Sequence, residues 1–210
     1  MKVMKSILVV NPKGGSGKTT LATNLAGGLA RNGQVVKLWD LDRQHSALEW
    51  LSLRPADRPS ITPLAGKPRE REESGGDASW LVLDAPAGIH GKMLQRALKI
   101  AHKVIVPIQP SVFDMAASGE FLRELLEEKS LRKRQSRIGI VGMRVDPRTR
   151  AASTLGAFLQ QFDLEVLTWL RDTQVYANAA FNGLSVFDLP EFVGGRDTEQ
   201  WRPILDWVAD

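Results

Sequence analysis

The chain of 210 residues contains no cysteine. That absence excludes disulfide bonds, thiolate zinc sites and cysteine-ligated iron–sulfur clusters. Tyrosine is almost absent: Tyr176 stands alone, so the tyrosine-rich tail that a bacterial tyrosine kinase needs is missing. The three histidines, His45, His90 and His102, are scattered and form no triad with a nucleophile. No apolar run is long enough to span a bilayer, and the start carries no cleavable signal pattern. A cytoplasmic location is therefore the expectation. Hydrophobic residues make up 43% of the chain and charged residues 25%, the balance of an ordinary soluble globule. The length suits one domain spanning residues 1–210.

Residues 13–20 read Lys-Gly-Gly-Ser-Gly-Lys-Thr-Thr. A loop of this kind wraps a polyphosphate with successive backbone N–H groups, which requires glycines and a following helix N-terminus. Gly17 and Lys18 close the general phosphate-loop pattern, and Gly14 and Gly15 keep the turn free of side chains. Lys18 would reach the β- and γ-phosphates and the Thr19 hydroxyl would sit on Mg²⁺. The context agrees. Residues 6–10 (SILVV) read as a strand, and residues 18–31 carry Leu21, Leu25, Ala26 and Leu29 at helical spacing before Gly33. The expected nucleotide contacts are Gly14, Gly15, Ser16, Gly17, Lys18, Thr19 and Thr20.

The string KGGSGKTT after a strand resembles the deviant Walker A box of the ParA/MinD family of ATPases, and further motifs extend the resemblance along nearly the whole chain. It implies an α/β phosphate-loop NTPase fold with a mostly parallel central sheet and helices on both faces. It also implies a role for the extra cation, Lys13: reaching across a dimer interface to the partner's nucleotide, as an arginine finger does in trans. The lack of cysteine separates the chain from the family's nitrogenase iron protein and iron–sulfur carriers.

Residues 34–39 read as a second strand ending in Asp40-Leu41-Asp42-Arg43-Gln44. The family pattern here is D-x-D-P-Q, which implies that Asp42 orients the attacking water or holds the metal's water shell. Arg43 replaces the usual proline and His45 the usual glycine. The residues alone also allow Asp40 and Asp42 to be solvated turn residues. Residues 79–83 form an apolar strand closing on Asp84-Ala85-Pro86-Ala87-Gly88, which resembles switch II, with Asp84 positioning Mg²⁺ through water. Residues 54–76, rich in proline, glycine and charge, read as a crossover with little regular structure and a short helix near residues 69–73.

Residues 104–107 begin another strand, and V-I-V-P-I-Q-P-S-x-F-D resembles the ParA-specific segment. A helix over 113–128 places Met115, Leu122, Leu125 and Leu126 on one face, and relatives use this helix near the dimer interface. After a strand at 138–141, Met143 and Arg144 stand where relatives contact the adenine base, in place of a family asparagine. A helix is expected over 154–162 and a strand over 164–168. Another helix is expected to open at Leu170-Arg171-Asp172, with Arg171 flanking the nucleotide. The last helix, 198–208, aligns Trp201, Ile204, Leu205 and Val208. Arg202 stands against Glu199, Asp206 and Asp210, the wrong polar face for a membrane helix, so packing on the body is expected.

The net charge is only +4, but it is unevenly spread. Lys129, Arg132, Lys133, Arg134, Arg137, Arg144, Arg148 and Arg150 face a single acid, Asp146, within residues 129–150. Such a cluster marks a candidate polyanion-binding face, with Arg132, Lys133, Arg134, Arg148 and Arg150 as the DNA-contact candidates.

The resemblance implies an ATP-dependent homodimer that binds nonspecific DNA, associates with the nucleoid and positions a cargo. A ParB-like or other adaptor would stimulate slow, Mg²⁺-dependent ATP hydrolysis. The first strand starts by Ser6, so operator-specific autorepression through an N-terminal helix-turn-helix is not expected. The D-R-Q, G-M-R-V-D and L-R-D-T-Q segments also resemble carboxysome-positioning ATPases. Two alternatives use the same scaffold: an ATP-dependent metabolic synthetase, for which no acid/base pair is visible, and a MinD-like membrane regulator.

Overall fold

The computed structural model describes residues 4–65, 80–129, 131 and 137–210. The described strands are β1 (Lys5–Val9), β2 (Val36–Asp40), β3 (Ile61–Ala65), β4 (Trp80–Asp84), β5 (Lys103–Ile108), β6 (Arg137–Gly142) and β7 (Glu165–Trp169). They form one sheet in the order β3-β2-β4-β1-β5-β6-β7, and every pairing is parallel. Between them run α1 (Lys18–Arg31), α2 (Ser46–Ser52), α3 (Gly91–Ile100), α4 (Val112–Glu127), α5 (Arg150–Leu159), α6 (Val175–Ala180) and α7 (Glu191–Ala209).

Side chains alternate across a strand, so each buried strand feeds two cores. Leu8, Leu81, Leu83, Val104 and Val106 meet α3, α4 and α5 on one face. Ile7, Val9, Val82 and Ile105 meet α1 and α7 on the other. Burial of both faces explains the near-continuous apolar strands read from the sequence. Each fully buried leucine or isoleucine there contributes about 1.5–3 kcal/mol.

Helix α1 carries Gly27 and Gly28 at its centre, which weakens a helix by roughly 1 kcal/mol per residue. Close packing explains them. A Cβ on Gly27 would lie 2.4 Å from the Ser185 hydroxyl oxygen, and one on Gly28 would lie 2.7 Å from the Phe187 ring.

Several expectations need correction. Part of the supposed irregular crossover is β3, and Pro63 misled the reading: proline is tolerated on an edge strand, which β3 is. The expected helix near residues 69–73 lies outside the described residues. Helices α2 and α3 are additional to those expected. The helix thought to open at Leu170 begins only at Val175, because Arg171 N–H donates to Gln200 Oε1 and its guanidinium is held by Asp197. Helix α5 starts at Arg150, before the expected Thr154, since the Thr149 side chain caps it by accepting from Ala152 N.

The last helix begins at Glu191, about two turns before residue 198. Gly194 lets it run close beneath the neighbouring chain, where an added Cβ would meet the Val186 carbonyl at 2.9 Å. Its apolar stripe, Trp201, Ile204, Trp207 and Val208, is buried on the body as expected, with Trp207 joining it. Lys103 Nζ donates to the Trp207 and Val208 carbonyls and Lys5 Nζ to that of Ala209, so cations cap the helix's negative end.

Candidate functional site

Parallel register gathers the candidate residues. Val9 of β1 pairs with Asp84 of β4, and Asp84 pairs with Asp40 of β2. The three strands therefore end side by side, and the loop and Asp42 open into one crevice at the sheet's carboxyl edge, with Asp84 buried behind Thr19.

The loop is cross-braced by the protein around it. Buried Asn11 donates from Nδ2 to the Pro107 carbonyl at 2.8 Å and to Ser118 Oγ at 3.0 Å, and its Oδ1 accepts from Lys13 N at 2.9 Å. Gln109 Nε2 donates to the Gly15 carbonyl, and Gly88 N to that of Pro12. Gly17 has φ 97°, a left-handed conformation that favours glycine, and a Cβ there would also strike Met143 Cε at 2.7 Å.

The two lysines of the loop occupy opposite environments. Lys18 is only 7% exposed, and its Nζ donates to the Lys13 carbonyl at 2.8 Å. Burial lowers its pKa, and the nearby charges of Asp84 and Asp42 oppose that shift. The Lys13 side chain stands at the rim, 36% exposed, with Nζ 3.9 Å from Asp114.

Thr19 Oγ1 donates to Asp84 Oδ2 at 2.7 Å. Asp84 is 1% exposed, and burial raises its carboxyl pKa to about 7, with the Thr19 hydrogen bond pulling the other way. Its Oδ1 is buried with no hydrogen-bond partner among the described residues. An orphaned carboxylate oxygen beside a threonine hydroxyl is a hard-donor pair suited to a hydrated divalent cation.

Asp40 and Asp42 have separate tasks. Asp40 is fully buried and accepts from the backbone N–H groups of Asp42, Ala47 and Leu48, so it builds the turn and fastens α2. Asp42 lines the crevice and accepts only locally, from Gln44 N at 3.1 Å. His45 takes the left-handed φ of 55°, which fits the glycine that the resemblance places there.

The crevice encloses about 540 Å³ and includes Gly14, Gly15, Gly17, Lys18, Thr19, Thr20, Asp42 and Arg144 in its walls. An adjoining cleft of about 320 Å³ is bounded by Met143, Arg144, Arg171, Gln174 and Tyr176, and Gly17, Thr20 and Arg144 belong to both. Arg144 has φ 54°, an unusual backbone state for a non-glycine at a candidate site. Arg171 reaches this cleft while both its Nε and one terminal nitrogen bind buried Asp197 at 2.8 Å. Ser16 is fully buried beneath the loop, within 3.5 Å of Lys18 Nζ.

The basic cluster is divided. Arg137 lies at the start of β6, stacked over Trp207 and paired with Glu165, whereas Arg144, Arg148 and Arg150 follow its end. Six strand residues separate the two groups by about 20 Å. Arg148 is exposed and forms a bidentate pair with Asp146, whose pKa that hydrogen bonding lowers to about 2. Arg150 is exposed at the first turn of α5. Arg132, Lys133 and Arg134 lie outside the described residues.

Sequence reasoning missed Asp114, Asp197 and Asn11, the groups that hold Lys13, Arg171 and the loop. Their contacts are long-range; Asn11 stands two residues before the motif and Asp114 closes the S-x-F-D segment, but neither position names its partner.

The family model of the CobQ/CobB/MinD/ParA nucleotide binding domain matches residues 7–186. The chromosome-partitioning ATPase Soj of Thermus thermophilus is 31% identical over 199 residues, covering 79% of this chain and 80% of Soj. The maintenance of carboxysome distribution protein A of Halothiobacillus neapolitanus is 25% identical over 190 residues, covering 88% and 87%. Among solved structures, the ATP complex of a Cyanothece McdA variant superposes with a TM-score of 0.73 at 15% identity, covering 97% of each chain.

Proposed function

The chain belongs to the CobQ/CobB/MinD/ParA nucleotide-binding family, and we propose that it is an ATP-dependent dimerising switch ATPase that positions a cargo over DNA. The observation that carries this reading is the contrast between its two loop lysines. Lys18 is inside, where it serves its own subunit's nucleotide. Lys13 is at the rim, where it can serve another's.

The loop N–H groups, the α1 N-terminus and Lys18 bind the β- and γ-phosphates. Lys18 exchanges the Lys13 carbonyl for a phosphate oxygen on binding. Thr19 and Asp84 would hold Mg²⁺, which would neutralise charge on the phosphates. Asp42 orients the attacking water from the mouth of the crevice. Lys13 of a second subunit then places its ammonium at the transferring phosphoryl, where a cation supplied in trans contributes about 10³–10⁵-fold in rate. Met143, Arg144 and Arg171 border the base. Hydrolysis is slow because no strong general base faces the crevice among the described residues, and an adaptor protein accelerates it.

The dimer binds DNA without sequence preference through phosphate contacts, with Arg148, Arg150 and the 132–134 segment as contacts. The protein is cytoplasmic and nucleoid-associated. The partitioning and carboxysome-distribution relatives support cargo positioning. No described helix is long and apolar enough to cross a membrane, and the last helix buries its apolar face against the body.

The test is DNA affinity with ATP, with ADP and without nucleotide, each at two salt concentrations. ATP-dependent binding that weakens steeply with salt is expected. Dimerisation with ATP but no DNA binding, or turnover driven by a small molecule, would overturn the DNA-positioning role and favour a synthetase or another client.

A further inference from the structure

Helix α3 (Gly91–Ile100) takes no part in the proposed cycle, and its two sides differ in kind. Leu94, Ala97 and Leu98 are buried in the core. Lys92, Arg96 and Lys99 are exposed, and their i, i+4, i+7 spacing aligns them on one face. At about 1.5 Å of rise per residue they make a stripe about 10 Å long. The helix sequence GKMLQRALKI holds no acid, and none of the three cations is in an ion pair among the described residues. No other described helix exposes three cations without an acid of its own. The cations beyond β6 are more committed: Asp146 binds Arg148 on two nitrogens, and Arg144 Nε lies 4.0 Å from Asp172. The helix is also tied to the phosphate loop. His90, its N-cap, donates from Nδ1 to the Gly88 carbonyl at 2.6 Å, and Gly88 N donates to the carbonyl of Pro12.

We propose that α3 is a DNA-binding face on which Lys92, Arg96 and Lys99 contact the backbone phosphates of a duplex. This rests on the reading of the chain as a DNA-positioning ATPase, and it adds a surface to the basic segment around β6. Duplex DNA carries one negative charge per about 1.7 Å of its axis, so a stripe of this length meets several phosphates. Contacts of this kind fix position and read no sequence. A membrane fits the face less well, because no large apolar side chain is exposed on α3 to anchor it among lipids. One stripe alone binds weakly. A dimer carries two, and a duplex that engages both gains the second as an intramolecular contact, which makes DNA affinity follow the nucleotide.

The test is titration of random-sequence duplex DNA into the full chain with Mg²⁺ and a non-hydrolysable ATP analogue, over a series of salt concentrations. Replacing the stripe together (Lys92→Gln, Arg96→Gln, Lys99→Gln) should weaken binding at about 0.1 M salt by at least about 10-fold, and should reduce the salt slope by about 2 to 3 for each subunit engaged. The charge-keeping set Lys92→Arg, Arg96→Lys, Lys99→Arg should bind as wild type does. ATP affinity and dimer mass should be unchanged in both sets, since none of these side chains lines the crevice. In the wild type, duplex should also slow acetylation of Lys92 and Lys99 by an amine-reactive ester, read by peptide mass, which needs no variant. Unchanged affinity and slope in the glutamine set, or unslowed labelling of both lysines, overturns the proposal. So does a loss confined to Arg148→Gln with Arg150→Gln, which places the contact beyond β6. Stripe-dependent binding to phosphatidylserine vesicles with DNA affinity intact assigns the face to a membrane instead and overturns it too. A wild type that binds no duplex at any salt defeats the DNA reading itself, and this placement with it.

Discussion

Replacing Asp84 with asparagine should make the nucleotide-free protein more stable while disabling it. The carboxyl sits 1% exposed with one oxygen unpaired among the described residues, and burial carries its pKa from an ordinary 3.8 to about 7. At about 1.4 kcal/mol per tenfold change in proton affinity, ionising it without a bound cation costs about 4 kcal/mol. The folded pKa is the higher one, so the unfolded chain releases this proton first. Stability is therefore complete below about pH 4 and falls as the pH rises toward 7. Asparagine keeps the shape and the Thr19 contact but never ionises.

Denaturant unfolding of both proteins without nucleotide, at pH 5 and pH 8, checks this. The variant should exceed wild type by about 4 kcal/mol at pH 8 and by roughly 1–2 kcal/mol at pH 5. Wild type should regain the difference with Mg²⁺ and ATP, and the variant should not. Equal pH responses in the two proteins, or a less stable variant at pH 8, would refute the idea that Asp84 is an unsatisfied acid kept for a cation.

Lys18→Ala should weaken ATP binding at least about 100-fold, since it removes a charge-assisted contact to the phosphates; calorimetry with an ATP analogue measures it. Asp42→Ala should keep ATP affinity within a few-fold while hydrolysis falls by about 10²-fold or more and the dimer persists; unimpaired phosphate release would show that Asp42 does not handle the water. Gly28→Ala should destabilise by about 1–3 kcal/mol despite alanine's better helix propensity, because its Cβ meets Phe187. Thermal melts decide that sign.

The phosphate loop was legible because its chemistry requires contiguous residues: glycines, a lysine and a threonine at a strand-to-helix turn. The central strands were legible for a related reason, since burial on both faces leaves a simple apolar run. The edge was not. Pro63 in β3 obeys an edge-strand rule that becomes usable only once the sheet order is known. Likewise, Leu170 to Gln174 stayed out of a helix because Asp197 and Gln200, remote in sequence, hold Arg171. Asp114 could be read as a helix-start residue, but nothing local placed it opposite Lys13. The basic stretch reads as contiguous on paper, but β6 runs through it, with Arg137 at its start and Arg144, Arg148 and Arg150 beyond its end.

The central claim is that Lys13 works across a subunit boundary, and the solution mass of the protein tests it most directly. With Mg²⁺ and a non-hydrolysable ATP analogue the mass should double from 23.2 kDa, with ADP it should not, and Lys13→Ala should remain single under both conditions. A wild-type chain that stays at 23.2 kDa with the analogue, and hydrolyses ATP at a per-subunit rate independent of its concentration, would contradict the account.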